Sequence, residues 1–182
     1  MRLSERAMTT RSLSFGLCAA IAGMSMLSTA STAQSIRNHD SNAPVDFSAA
    51  SMELQDRADR VVLSGGVTAV QAGLTLQANR VTAAYSSNNG VDVNRLDATG
   101  SVMITKDDLR ATSSSAIYDL DSSLITLIGN VNLVQGSNRL TGGRLVIDLN
   151  SGRSTINGGG IPGATYSGGR VTGSFSVPQR KN

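Results

Sequence analysis

Leu96-Asp97-Ala98-Thr99-Gly100-Ser101-Val102-Met103-Ile104 carries an apolar or small residue at every second position, with a glycine at its centre. Period-two spacing places Leu96, Ala98, Gly100, Val102 and Ile104 on one face of a β-strand. The same pattern stands upstream as Val61, Leu63, Gly65, Val67, Ala69 and downstream as Ile125, Leu127, Gly129, Val131, Leu133. The three glycines lie 35 and 29 residues apart, so the stretch is one copy of an internal repeat. A glycine in mid-strand suits a bulge or sharp bend, because it tolerates backbone angles that side chains forbid.

Each copy has a second half. It runs Leu76, Ala78, Val81, Ala83, Tyr85; then Leu109, Ala111, Ser114, Ala116, Tyr118; then Leu140, Gly142, Leu145, Ile147, Leu149, with a partial leading copy Phe47, Ala49, Met52, Leu54. Alternation is broken once in each by a step of three. An odd step turns the inward face over, so the strand must bulge or cross a corner there. Between the runs fall turn-forming clusters: Ser87-Asn88-Asn89-Gly90, Lys106-Asp107-Asp108, Asp119 to Ser123, Gly136-Ser137-Asn138 and Asn150-Ser151-Gly152. No proline interrupts the chain between Pro44 and Pro162, and no window carries a helical stripe. After Gly152 the pattern weakens, and the last strand-like stretch is Arg170 to Pro178. The chain is therefore expected to be all-β: strand-turn-strand units of about 30 residues that complete one another's core in an elongated sheet. Val, Leu, Ile and Ala lining is compatible with the plain core of a β-sandwich or jelly roll. A groove open along its length to acyl chains is the alternative reading.

The first 33 residues read as a secretory signal peptide. Arg2, Arg6 and Arg11 precede an apolar run from about Leu13 to Leu27, and Ser31 and Ala33 fit the small-residue rule for cleavage after Ala33, with Ala30 as the second choice. The run is short of the roughly 20 apolar residues of a membrane span. Residues 34–43 are polar and aperiodic, a flexible lead-in; 44–178 form the β-domain and 179–182 a tail. Of the formal charge of +3, a net +2 lies in Arg2, Arg6, Arg11 and Glu5, and no basic run remains to hold a phosphate backbone. With no Trp, three Phe and three Tyr, there is no stacking platform for bases either, so nucleic acid is not an expected partner.

Catalytic signals are missing. The single cysteine, Cys18, follows Leu17 inside the leader, which is neither a lipoprotein site nor a usable thiol in the remainder. His39, the only histidine, sits in the lead-in. Asp107-Asp108 and the Asp119/Asp121 pair read as turns rather than cation sites. Thr112-Ser113-Ser114-Ser115 lacks a nucleophile elbow, and no Lys-Ser/Thr follows Asn157-Gly158-Gly159-Gly160. Neither an enzyme nor a metal or cofactor site is expected.

Several of these elements resemble the lipopolysaccharide-transport periplasmic protein A family, also called OstA-like. Pro44-Val45-Asp46-Phe47-Ser48-Ala49 is similar to its first strand. Leu63-Ser64-Gly65-Gly66-Val67 and Leu127-Ile128-Gly129-Asn130-Val131 are similar to its recurrent elements, and Ala116-Ile117-Tyr118-Asp119-Leu120 and Gly169-Arg170-Val171 through Val177-Pro178 also fit. The likeness runs from Pro44 to Pro178, with Gly158 to Gly169 departing from the pattern. It implies a twisted, open β-jelly roll in the periplasm that shields the lipid A acyl chains of lipopolysaccharide. Val45, Phe47, Val102, Ile104, Tyr118 and Leu120 match the positions that face those chains. The resemblance also implies head-to-tail assembly. The C-terminal edge (Val171, Phe175, Val177) of one copy pairs with the N-terminal edge (Val45, Phe47) of the next, and the stack links an inner-membrane jelly-roll partner to an outer-membrane translocon. An unpaired edge strand is a template for such strand addition. Two other readings are compatible with the residues: the membrane-anchored partner of the same pathway, and a structural, adhesin-like β-solenoid with a closed core.

Overall fold

Runs of Val, Ile, Leu and Thr cut by Gly, Asn and Asp produce ten strands in the computed structural model, which describes residues 39–86, 92–159 and 169–176. In chain order they are β1 (Asp46–Ser48), β2 (Ser51–Gln55), β3 (Arg60–Gln71), β4 (Leu74–Ser86), β5 (Asp92–Lys106), β6 (Leu109–Asp119), β7 (Leu124–Gln135), β8 (Asn138–Asp148), β9 (Arg153–Asn157) and β10 (Thr172–Ser174). Among the described residues the only helical element is a single 3₁₀ turn, Asp56–Ala58. All ten strands belong to one sheet in the order β1-β3-β4-β5-β6-β7-β8-β10, with β2 also on β3 and β9 also on β8. Every ladder is antiparallel, so the stacked solenoid is not the fold that forms.

The repeat glycines bend this sheet. Register slips at Ser64/Val67 on β3, Thr99/Val102 on β5 and Ile128/Val131 on β7, and on the intervening strands at Gln77/Arg80 and Thr112/Ser115. At each glycine bulge two successive residues take positive φ: Gly65-Gly66 (85°, 74°), Gly100-Ser101 (79°, 53°) and Gly129-Asn130 (79°, 51°). A bulge bends its strand and flips the register of inward residues. Aligned across five strands, the bulges fold the sheet along one line into two layers. The first layer holds the strand halves 67–78, 102–113 and 131–142 and is edged by β1 and β10. The second holds the other halves and is edged by β2 and β9. Among the described residues the margins β1/β2 and β9/β10 are not joined to each other, so the roll is open.

Side chains from both layers meet in a single apolar cluster. Val67, Leu74, Leu76, Val102 and Ile104 come from the first layer, and Val81, Leu96, Ile125, Leu127, Leu145 and Ile147 from the second. Burying each large aliphatic chain contributes about 1.5–3 kcal/mol, which is what holds the bent sheet closed. In the second copy the step of three falls between Ser113 and Ala116, not between Ala111 and Ser114 as alternation alone suggests. Ser113, not Ser114, points inward; it is buried and its hydroxyl donates to the Ser115 carbonyl at 2.8 Å. Ser114 is exposed and lies under Gly129, where a Cβ would come within 3.0 Å of its Oγ.

Two elements escaped the sequence pattern. β9 pairs with β8 although its residues are mostly exposed, and β3 joins β4 through the two-residue turn Ala72-Gly73, both at positive φ, a mirror-image turn that suits strand twist. The leader (1–33), the Ser87–Gly90 turn, Val177, Pro178 and the tail lie outside the described residues. Among the described residues no helix is long and apolar enough to cross a membrane.

Candidate functional site

Alternation along the bent strands sends four of the expected lipid-facing residues into the shared interior. Val102 and Ile104 on β5, Tyr118 on β6 and Leu120 in the turn after it are all buried and packed against one another's neighbours. They line a closed core here rather than an empty groove. Val45 is partly buried against the same cluster. Phe47 is different: 54 % of it is exposed, although it pairs directly with Ala69, a core residue. Directly opposed residues of an antiparallel pair share a face, so Phe47 belongs to the inner face but lies at its uncovered margin.

The same holds along β2. Met52 pairs with Leu63 and Leu54 with Val61, on the inner face, yet both side chains are largely exposed. At the opposite margin Gly173 pairs with Leu140, which in turn opposes core residue Leu133. Val171 and Phe175, two residues to either side of Gly173, are exposed, Phe175 by 66 %. The inner apolar face therefore continues past the packed core at the β1/β2 margin, and exposed apolar side chains flank β10 at the other. An inward-facing residue left uncovered is the kind of apolar surface that marks a binding margin.

A polar cluster inside the roll was not foreseen. His39, expected in a flexible lead-in, is only 7 % exposed, and its ring lies 6.4 Å from that of Tyr118. Tyr118 donates its hydroxyl hydrogen to Gln71 Oε1 at 2.6 Å, and His39 Nε2 lies 3.3 Å from the same oxygen and 3.2 Å from the Tyr118 oxygen. Gln71 Nε2 donates to the Ser41 and Ala43 carbonyls at 2.9 and 2.8 Å. Lys106 Nζ donates to the Ala72 carbonyl at 2.9 Å and stands 3.4 Å from His39 Nδ1. Buried polar groups need such partners, and here every one has them. Burial, reinforced by the Lys106 charge, holds the His39 pKa below its ordinary value against the opposing pull of Gln71 and Asp40. Burial also pushes the Tyr118 hydroxyl pKa up. One signal in the sequence pointed here: Gln71 continues the inward series Val67, Ala69 at period two, a polar residue in an apolar slot.

Turn chemistry accounts for the carboxylates. Asp119 Oδ1 accepts the Ser122 amide at 2.9 Å, which lowers its pKa, and Asp148 caps the turn at Asn150 and Ser151 in the same manner. Among the described residues no group of three or more acidic, His or Cys side chains is placed to hold a metal ion.

An antiparallel sheet bent on glycine bulges, greasy within and uncovered at two margins, defines the class of open β-jelly rolls. The chain belongs to the family described as LptA/(LptD N-terminal domain) LPS transport protein, whose model matches residues 46–153. The fold is also that of LptH, the LptA-homologous periplasmic component of the lipopolysaccharide transport device of Pseudomonas aeruginosa. Its crystal structure matches with a TM-score of 0.66 at 20 % identity, over 76 % of this chain and 99 % of that one. No curated protein sequence matches the chain.

Proposed function

We propose that the protein is a periplasmic lipopolysaccharide carrier, a transport protein rather than a catalyst. Its leader is removed, and its inner face shields the lipid A acyl chains in transit between the membranes. The observation that carries this reading is the uncovered continuation of the inner face at Phe47, Met52 and Leu54 on one margin, with Val171 and Phe175 exposed at the other. Each methylene moved from water onto such a face is worth about 0.8 kcal/mol, so a few acyl chains supply ample driving force. Family membership and the role of LptH in lipopolysaccharide transport point the same way.

Copies stack head to tail in this reading. The β9/β10 margin of one adds to the β1/β2 margin of the next, with Val45, Phe47, Val171, Phe175 and Val177 at the joint. The stack bridges an inner-membrane jelly-roll partner and an outer-membrane translocon. Two margins of one sheet that, among the described residues, pair with no further strand favour it.

A photoreactive residue in place of Phe47 tests the carrier role. Illumination in the presence of lipopolysaccharide should yield a covalent adduct, while the same residue at exposed, outward-facing Arg110 should not. Equal labelling at both positions, or none at Phe47, rejects the reading.

A further inference from the structure

We propose that residues His39–Val45 form a strap, supplied by the chain itself, that closes the slot between the two layers and must be displaced before a guest can enter. The strap is fastened at one place. Gln71 on β3 donates both its amide hydrogens to strap carbonyls, at Ser41 and Ala43, while its oxygen receives Tyr118 from β6 and faces His39. Asp40 closes the segment on itself, accepting the Asn42 amide at its side chain and the Ala43 amide at its carbonyl. Gln71 and Tyr118 come from opposite layers, so the fastening spans the mouth of the slot. The residues directly behind it are Ala69, Leu74, Leu76 and Leu96, with Val45 lying over them. On the strap's other side an open cavity of about 1000 Å³ reaches from Pro44 and Val45 to Val93, Asn94 and Leu120.

Two features distinguish the strap from ordinary core. It contributes little apolar area, since Pro44 is exposed and Ala43 and Val45 are only half-buried. Its hold is polar, and neutral hydrogen bonds exchanged with water are individually weak. An apolar guest that buries itself against Leu74, Leu76 and Leu96 can compensate for their loss.

The fastening is also sensitive to protonation. Lys106 Nζ has only donors, so His39 Nδ1 must be the acceptor of their contact and Nε2 must carry the hydrogen that faces Gln71 Oε1 and Tyr118. A proton on Nδ1 cancels the first contact and sets a cation against the Lys106 ammonium. The groups around the ring are Lys106 from β5, the Tyr118 hydroxyl from β6, uncharged Gln71 from β3 and Asp40 of the strap, whose charge opposes the effect without reversing it. A docked imidazole of lowered pKa binds a proton later than a free one. Docking is therefore fully favoured above the ordinary value of roughly 6.5 and weakens as pH falls through the docked value.

The identity of the guest rests on the carrier reading; the strap does not. Two readouts on the purified protein keep them apart. Hydrogen exchange of the peptide covering 39–47, corrected for intrinsic rates, should speed up about tenfold in Gln71→Ala, and should also rise in the parent as pH falls from about 7.5 to about 5.5. His39→Gln, which keeps a neutral hydrogen-bonding amide, should lose the pH response. Unchanged exchange in Gln71→Ala with a flat profile in the parent overturns the strap, and a pH response that survives in His39→Gln overturns its protonation. Binding of a fluorescent palmitate and of lipopolysaccharide should strengthen several-fold wherever exchange rises. If the parent binds either ligand and exchange rises without tighter binding, the segment is no gate and the proposal fails. If no form binds either ligand, the carrier reading fails, and the strap is then judged on exchange alone.

Discussion

Tyr118 and Gln71 share a 2.6 Å hydrogen bond across the interior, although their strands, β6 and β3, are not neighbours in the sheet. The bond ties the second layer to the first near the mouth of the roll. It also fixes Gln71 Oε1, so that the amide end of the same side chain is aimed at the Ser41 and Ala43 carbonyls. One glutamine thus connects three parts of the protein that the chain order keeps far apart.

Removing only the Tyr118 hydroxyl should separate the tie from the packing. Tyr118→Phe leaves Gln71 Oε1 still facing His39 Nε2, so it is expected to cost about 1 kcal/mol. Tyr118→Ala also empties a site where the ring is 1 % exposed and should cost about 3–5 kcal/mol. Urea unfolding of both variants checks this. Equal losses would mean that the hydroxyl, not the ring, carries the residue's contribution.

Backbone geometry at the bulges makes a prediction with opposite signs at adjacent residues. Gly100 has φ 79°, and a Cβ there would lie 2.8 Å from Asn79 Nδ2, so Gly100→Val should destabilise by about 2 kcal/mol or more. Ser101, at φ 53°, already bears a side chain in the left-handed region. Ser101→Gly relieves that strain while loosening the unfolded chain, and should be neutral to slightly stabilising, within about 1 kcal/mol. Thermal and urea midpoints moving in the same direction for both variants would show that the bulge line is not what sets these angles.

Those bulges are also where the sequence was most legible. Period-two alternation around Gly65, Gly100 and Gly129 announced both the strands and their bends, because a glycine inside an apolar run has no other structural use so cheap in side-chain burial. The half-repeats on β4, β6 and β8 were legible for the same reason, apart from the Ser113/Ser114 slip, where two serines are alike in polarity and only the alternation count distinguishes them. Less could be read at the margins. β9 is largely exposed and lacks an apolar face, so no periodicity marks it. The His39–Gln71–Tyr118 cluster joins residues far apart in the chain, and pairing of that kind is decided by the bend of the sheet rather than by any local pattern. Phe47 was rightly placed on the inner face by alternation, but alternation says nothing of how much of that face a neighbour covers.

That difference in cover decides which positions can report on ligand binding. Ile104 is fully buried, and Ile104→Asp places an unpaired carboxylate in the core at a cost of several kcal/mol, so loss of function there reports unfolding. Leu120 is nearly as buried and suffers from the same ambiguity. Phe47→Asp, at the uncovered margin, should leave the urea midpoint nearly unchanged while lowering retention of lipopolysaccharide about tenfold or more. Parent-like retention by a folded Phe47→Asp protein would remove this margin from the ligand's path.

The two margins can be told apart by mixing. A head-to-tail contact is heterologous: it needs the β1/β2 margin of one copy and the β9/β10 margin of another, and it propagates. Met52→Asp spoils the first margin, and Phe175→Asp spoils the second; both side chains are exposed, so neither change should disturb folding. Each variant alone should remain monomeric at concentrations where the parent forms a ladder of oligomers. An equimolar mixture should form dimers and nothing larger, because the intact β9/β10 margin of Met52→Asp meets the intact β1/β2 margin of Phe175→Asp and both outer ends of the pair are spoiled. Light scattering distinguishes the alternatives. A self-complementary contact would let one variant dimerise without the other, since the margin left intact in that variant would pair with its own copy.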